Sequence, residues 1–283
     1  MKHSIGVITL AAAAVLAYSC TDRNTAPQNT DNEVAFTYHT FDQAYTLENS
    51  STDYETDSDL TMGCRASLFI PVSYMGQNIN SFRDSVMRIA FDTIAENPAV
   101  AAEAFFRKSG SDIGYPLQPI AINAGEADSL AHITESLNNF DGFVEVQGRI
   151  VALTPEYLSY AITSSSYYPR AAHGMYGTFY IVYSAQANQV VTLADLFTPE
   201  GIAQLPAMLR TRARAMKSYI GATQLNSLPG GDNYYINSDG DLIFSYQPYE
   251  IASYAQGQIN IDIQPYMVSD YLTSLGKKIL LHE

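Results

Sequence analysis

The amino-acid sequence predicts an α+β fold, mostly antiparallel sheet with helices packed on it, and three observations carry that expectation. Residues 143–153 alternate apolar and polar side chains at the two-residue period of a half-buried strand, and residues 178–184 read as a further strand. Residues 80–94 and 199–220 instead repeat apolar side chains at the helical period. Between two apolar runs, the stretch Asn237-Ser238-Asp239-Gly240-Asp241 is polar and contains glycine, the pattern of a β-hairpin. Helices interspersed among hairpin-joined strands point to α+β.

In chain order, the first segment is a sorting signal. Met1-Lys2-His3 places a positive charge at the start, and residues 5–17 are apolar apart from Gly6 and Thr9. That run is too short to span a bilayer as a stable helix and has the length of a signal-peptide core. It ends at Ala17-Tyr18-Ser19-Cys20, which resembles a lipobox, with Ala17 where leucine is usual. The expectation is a lipoprotein signal peptide over residues 1–19 and acylation of Cys20; two buried acyl chains already anchor firmly. The competing reading is an ordinary signal peptide with Cys20 an incidental thiol. Lipidation implies a cell-envelope location, lipid-anchored, at the outer membrane of a Gram-negative host, facing the periplasm or the surface.

Residues 20–33 are polar and read as a flexible tether. Val34, Phe36, Tyr38, Phe41 and Tyr45 then alternate as an entering strand, inside an acidic stretch read as a solvated face. Residues 66–74 form a strand ended by Gly76. Cys64, just before it, is expected to be a small buried hydrophobe, without a disulfide partner if Cys20 is acylated. In residues 80–94, Phe82, Val86, Ile89 and Ala90 share one side of a helix. Pro98 opens a short helix over residues 99–108, and another is expected over 124–137.

After Phe140 the character becomes strand-rich. Residues 143–153 read as a strand or bent hairpin, followed by strands at 157–166, 178–184 and 189–193. Pro199 opens a helix to about residue 220, with Ile202, Leu205, Leu209 and Ala213 on one face. Arg210, Arg212, Arg214 and Lys217 crowd its end, where cations suit the helix dipole. The hairpin 234–246, a strand at 258–263, and a short helix opened by Pro265 and ended by Gly276 complete the chain. The organisation expected is an N-terminal α+β module over residues 34–140 and a second domain over 141–283.

Charge narrows the partners. The full chain carries 15 Lys and Arg against 29 Asp and Glu. Loss of residues 1–19 removes Lys2 and no acid, leaving 14 basic against 29 acidic residues, a net charge of −15. Nucleic acid is excluded as a partner, because too little could neutralise phosphates. Basic partners are favoured.

Chemistry-bearing motifs are sparse. HExxH, CxxC, GxSxG and phosphate-loop patterns do not occur, and no two of the five histidines share metal-ligand spacing. Counted as an EF-hand from Asp239, the loop has Phe244 at the position that requires glycine, so a plain turn is expected and no metal or cofactor is assigned. His173, beside Gly174, is the one catalytic candidate, with Asp195 and Glu250 as conceivable partners; a structural hydrogen bond is the simpler role, and no catalytic residue is assigned.

Four ordered passages carry a resemblance. They are Ile150–Leu153 with Tyr157 and then Tyr167-Tyr168-Pro169-Arg170-Ala171-Ala172-His173-Gly174; Val191-Thr192-Leu193-Ala194-Asp195-Leu196-Phe197; Tyr235-Ile236 with residues 239–244; and Gln247-Pro248-Tyr249-Glu250-Ile251-Ala252-Ser253-Tyr254-Ala255-Gln256-Gly257. Together they resemble the C-terminal extracellular domain of the RsiV-type, lysozyme-sensing anti-sigma factors, a domain also found beside peptidoglycan deacetylases and in bacterial lipoproteins. Arg170 and Ala171 replace the family's glycine pair, so a tight turn is expected to rest on Pro169 and Gly174. The resemblance implies an RsiV-like domain over residues 141–283 and a non-enzymatic binding surface. Its partner would be lysozyme, another basic protein, or peptidoglycan fragments. His173, Arg170, Tyr168, Tyr249 and Glu250 are the binding candidates. Without a sigma-binding segment or transmembrane helix, signalling by this chain itself is not expected. A cell-wall or glycan hydrolase acting through carboxylates is the alternative.

Overall fold

The computed structural model describes residues 36–47, 60–95, 97–112, 117–119, 137, 140–216, 226, 228 and 230–283. The expected signal peptide, Cys20, the tether, the helix at 124–137 apart from Leu137, and Lys217 lie outside these residues. Seven strands make the main sheet: β1 Phe36–Leu47, β2 Thr61–Pro71, β5 Leu117–Pro119, β6 Gly142–Leu153, β7 Leu158–Tyr167, β8 Met175–Ser184 and β9 Gln189–Val190. Their spatial order is β5-β1-β2-β6-β7-β8-β9. The short β3 (Ser73–Tyr74) and β4 (Gln77–Asn78) pair separately.

Neighbouring strands of the main sheet run antiparallel except β2 and β6, which are parallel from Met62↔Gly142 to Leu68↔Gly148. A parallel pair needs a long crossover, and the chain makes it through α1 (Asn80–Phe91) and α2 (Pro98–Asp112). One sheet therefore spans the boundary expected at residue 140: β2, from residues 34–140, hydrogen-bonds to β6, from 141–283. The stretch 143–153 is one strand, with a bulge between Ile150 and Ala152.

The first core lies on the helix-covered face. Met62, Cys64, Ala66, Val144, Val146, Tyr160 and Ile162 alternate inward and meet Phe82, Val86 and Phe106 of the two helices. α1 buries Phe82, Val86 and Ala90 as the periodicity predicts, while Ile89 is 40% exposed. The helix stops at Asp92, which takes a left-handed conformation (φ 56°) and donates its N–H to Arg88 O. Cys64 lies within β2 rather than before it, and burial pushes its thiol up to about 12.

A second core joins the far end of the sheet to a smaller antiparallel sheet of β10 (Tyr234–Ile236), β11 (Leu242–Tyr246) and β12 (Ile259–Ile263). The helices α3 (Leu193–Leu196), α4 (Pro199–Ala215) and α5 (Ser274–Leu281) pack with it. α4 begins as expected, with Thr198 accepting from Gly201 N–H and Pro199 in the first turn. It ends at Ala215 rather than near residue 220, because Met216 is extended (ψ 134°). Of its basic cluster, Arg212 forms an ion pair with Asp262 of β12.

Pro265 opens only a single 3-10 turn, Pro265–Met267. Gly276 does not end a helix; it is buried inside α5, where a Cβ would lie 2.1 Å from Leu196 O. Its role is close approach between α5 and α3. The turn after β10 is held by Asn237, whose Oδ1 accepts the N–H groups of Asp239 and Asp241, with Gly240 at φ 86°.

Candidate functional site: an aromatic cluster beside two constrained turns

Two loops meet at one end of β8. Residues 168–174 link β7 to β8, and residues 247–258 link β11 to β12. Each opens with a turn of the same design. In Tyr168-Pro169-Arg170-Ala171, Ala171 N–H donates to Tyr168 O at 3.0 Å and Arg170 sits at φ 69°. In Gln247-Pro248-Tyr249-Glu250, Glu250 N–H donates to Gln247 O at 3.0 Å and Tyr249 sits at φ 71°. Proline pre-sets the first central position of such a turn, and a positive φ at the second favours glycine. Here a bulky residue occupies that position twice, at a cost on the order of 1–3 kcal/mol each. The first turn thus rests on Pro169 and Arg170, correcting the expected pairing of Pro169 with Gly174.

The second turn is pinned from below. Glu250 Oε2 accepts Gln247 N–H at 2.8 Å. Gln247 Oε1 accepts Thr178 N–H at 2.9 Å and its Nε2 donates to Thr178 O at 2.6 Å, so the side-chain amide pairs with β8 as a strand would. Asn233 repeats the device beside it, accepting Tyr180 N–H at 3.0 Å and donating to Thr178 O and Ser245 O. These amides satisfy edge groups of β8 that would otherwise be left unpaired.

His173 lies between the turns. Its Nδ1 is 2.9 Å from Gly174 O, which can only accept, so Nδ1 carries the proton. In that tautomer Nε2 accepts from Tyr249 OH at 3.2 Å. Gly174 O also accepts Tyr254 OH at 2.6 Å. The His173 and Tyr254 rings stack at 4.3 Å, Tyr249 lies 5.5 Å from Tyr254, and Tyr176 meets Tyr254 edge-on at 6.1 Å. Tyr249 is 56% exposed and Tyr176 36%. Gly257 is needed where this cluster closes, since its φ is 66° and a Cβ would meet Tyr176 OH at 2.8 Å.

The structure thus joins His173 to Tyr249 and puts Arg170, exposed, on the same loop. Glu250 caps its own turn. Tyr168 points away and packs on the helix-side core. Asp195 is occupied in a capping box at the start of α3: it accepts from Thr192 Oγ1 at 2.6 Å, Thr192 N–H at 2.8 Å and Gln189 Nε2 at 3.1 Å. The Thr192 hydroxyl, foremost, holds its carboxyl below the usual range. Among the described residues His173 therefore hydrogen-bonds a carbonyl and a phenol, not a carboxylate that could orient it as a base. The sequence reading overlooked Tyr176, Tyr254 and Gln247. Tyr254 stood in the quoted passage at residues 247–257; the pairing of Gln247 with Thr178, 69 residues away, had no local signal.

The fold and this cluster define a mixed α+β protein with an exposed aromatic surface at one sheet edge. Residues 194–266 match the family described as "Protein of unknown function (DUF3298)". Among solved structures, the fold is similar to that of a DUF3298 family member from Bacteroides fragilis NCTC 9343. That match has 18% identity, covers 88% of this chain and 97% of that one, and has a TM-score of 0.59. A DUF3298 family protein from Pseudomonas aeruginosa PAO1 is also similar, at 13% identity, 84% and 94% coverage and a TM-score of 0.50. No curated protein matches the chain. The RsiV-like domain is related to this family, and the matched segment spans three of the four passages that carried the resemblance, in whole or in part.

Proposed function

We propose that this chain is a lipid-anchored protein of the cell envelope that captures a ligand without transforming it, using the surface around Arg170, His173 and Tyr249. One observation carries the reading: two proline-led turns hold Arg170 and Tyr249 in left-handed conformations that glycine would adopt without strain. Strain of this kind persists where the surrounding structure enforces it, and it gathers at binding sites. The result is an exposed guanidinium on the loop that carries His173, and an exposed phenol bonded to that histidine beside the stacked His–Tyr pair. Arginine and tyrosine are the side chains that interfaces favour.

The partners that suit this reading are a basic protein of the lysozyme type or a peptidoglycan-derived fragment. Support for the first is the resemblance noted above and a chain charge of −14, which raises encounter rates with cations. The test is retention of hen lysozyme by the immobilised mature protein at low and at physiological salt. Retention that falls about tenfold or more on Tyr249→Ala or Arg170→Ala is the expected result, since a central interface residue is worth about 2 kcal/mol. No retention at either salt would overturn the lysozyme form. Release of fragments from purified peptidoglycan, abolished by Glu250→Gln or His173→Ala, would replace capture with hydrolysis.

A further inference from the structure

The hydroxyl of Tyr249 has a property that ligand capture does not use: its partner is a base. His173 Nδ1–H donates to Gly174 O at 2.9 Å, so Nε2 keeps its lone pair, and Tyr249 OH donates to it at 3.2 Å. That is within the reach of a general base to the proton it abstracts. Nucleophile, base and a third group that orients the base stand in line, the order in which an inert hydroxyl is activated. Other tyrosine hydroxyls of the molecule bond differently. Tyr254, Tyr157 and Tyr234 donate to the backbone carbonyls of Gly174, Asn237 and Val191, and Tyr183 donates to the amide oxygen of Asn188. None of those four acceptors can keep a proton at neutral pH.

Two further facts make this hydroxyl reachable and steady. Tyr249 stands at φ 71° in a turn that Glu250 Oε2 and the pairing of Gln247 with Thr178 fix, and it is 56% exposed. The His173 ring is held against Tyr254, with the ring centres 4.3 Å apart. The orienting group is a carbonyl, which cannot offset the charge of an imidazolium as a buried carboxylate does. Such a pair suits one proton transfer per hydroxyl, the acceptance of a group, rather than turnover. The chain's charge of −14 opposes donors that bring phosphate or sulfate charges, so an uncharged acyl group is the one that suits.

We infer that Tyr249 is a modification site, a phenol that His173 readies to accept an acyl group from an activated ester or thioester. The phenolic oxygen attacks the acyl carbon as its proton passes to His173 Nε2. The bond from that carbon to the leaving oxygen or sulfur breaks, the leaving group departs with the electron pair, and His173 returns the proton to water. One tyrosine ester forms for each donor consumed, with no oxidation or reduction.

The test is brief exposure of the mature protein to p-nitrophenyl acetate, followed by mapping of acetylated tyrosines by mass spectrometry. No lysozyme is present, so the outcome is independent of the capture reading. Tyr266 serves as the internal reference because it is the more exposed of the two, at 71%. Tyr249 is expected to acetylate about tenfold or more faster than Tyr266, the low side of what a positioned base contributes. Its rate falls in D2O, since a proton moves as the new bond forms. His173→Gln keeps an acceptor for the Tyr249 hydroxyl but cannot hold the proton. That variant is expected to lose both the preference and the isotope effect, at unchanged circular dichroism. Acetylation that follows exposure, with Tyr266 ahead of Tyr249, overturns the inference, and so does an advantage of Tyr249 that survives in His173→Gln. Phosphorylation of Tyr249 by phosphoramidate, without acetylation by the ester, overturns the choice of an acyl donor.

Discussion

The two faces of the seven-stranded sheet are built from the same strands and have opposite chemistry. On one, Cys64, Ala66, Val144, Val146 and Ile162 are buried under α1 and α2. On the other, their immediate neighbours Arg65, Ser67, Glu145, Gln147 and Thr163 remain reachable by solvent. A sheet needs only one covered face to be stable, because the period of two sends alternate side chains to opposite sides. The helix-covered face fixes register and stability. On the second face the demand is local: Ser159, Ala161, Thr178 and Val182 are buried where the small sheet packs, and at the β8 edge the protein adds two turns that are less stable than glycine would make them. The difference separates residues that hold the fold from residues free to meet a ligand.

The sharpest way to break the contrast is on the covered side. Phe82→Ala removes a fully buried ring that stands edge-on to Tyr160 at 5.4 Å and to Tyr183 at 5.9 Å. A loss of about 4 kcal/mol is expected in urea unfolding, with the midpoint lowered and the slope unchanged. A loss below about 1 kcal/mol would mean that the helices are not what secures this face.

At the turns the expected sign reverses. Arg170→Gly relieves a left-handed backbone and should stabilise the protein by about 1 kcal/mol, raising Tm by a few degrees, while lysozyme retention falls. Stabilisation with binding intact would separate the strain from function. The smallest effect belongs to exposed Gln147, whose truncation to alanine should change stability by no more than about 0.5 kcal/mol in the same unfolding assay. A larger loss would show that this face bears structure after all.

Much of this organisation could be read from local pattern. The alternation in residues 143–153, the strand at 178–184, the turn at Asn237–Asp241 and the start of α4 at Thr198-Pro199 each depend on neighbours in sequence, and each is present. Errors fell where distant parts of the chain decide. Gly276 looked like a helix end because glycine often follows one, but it is the space that Leu196 O requires. The predicted helix to residue 220 ran past Met216, whose extended backbone ends α4 five residues sooner. Tyr168, just past the end of β7, stands beside Arg170 in sequence, but its ring packs, partly buried, against the helix-side core.

The sequence by itself determined the α+β class, the positions of most strands and helices, and the loop in which His173 stands, because periodicity, turn chemistry and capping act over a few residues. Tertiary structure alone decided that β2 and β6 run parallel, that Gln247 and Asn233 close the edge of β8, and that His173 pairs with Tyr249 across 76 residues. It also decided which side of the sheet the helices cover. Those outcomes depend on contacts between segments far apart in the chain, and only the folded molecule specifies which of them meet.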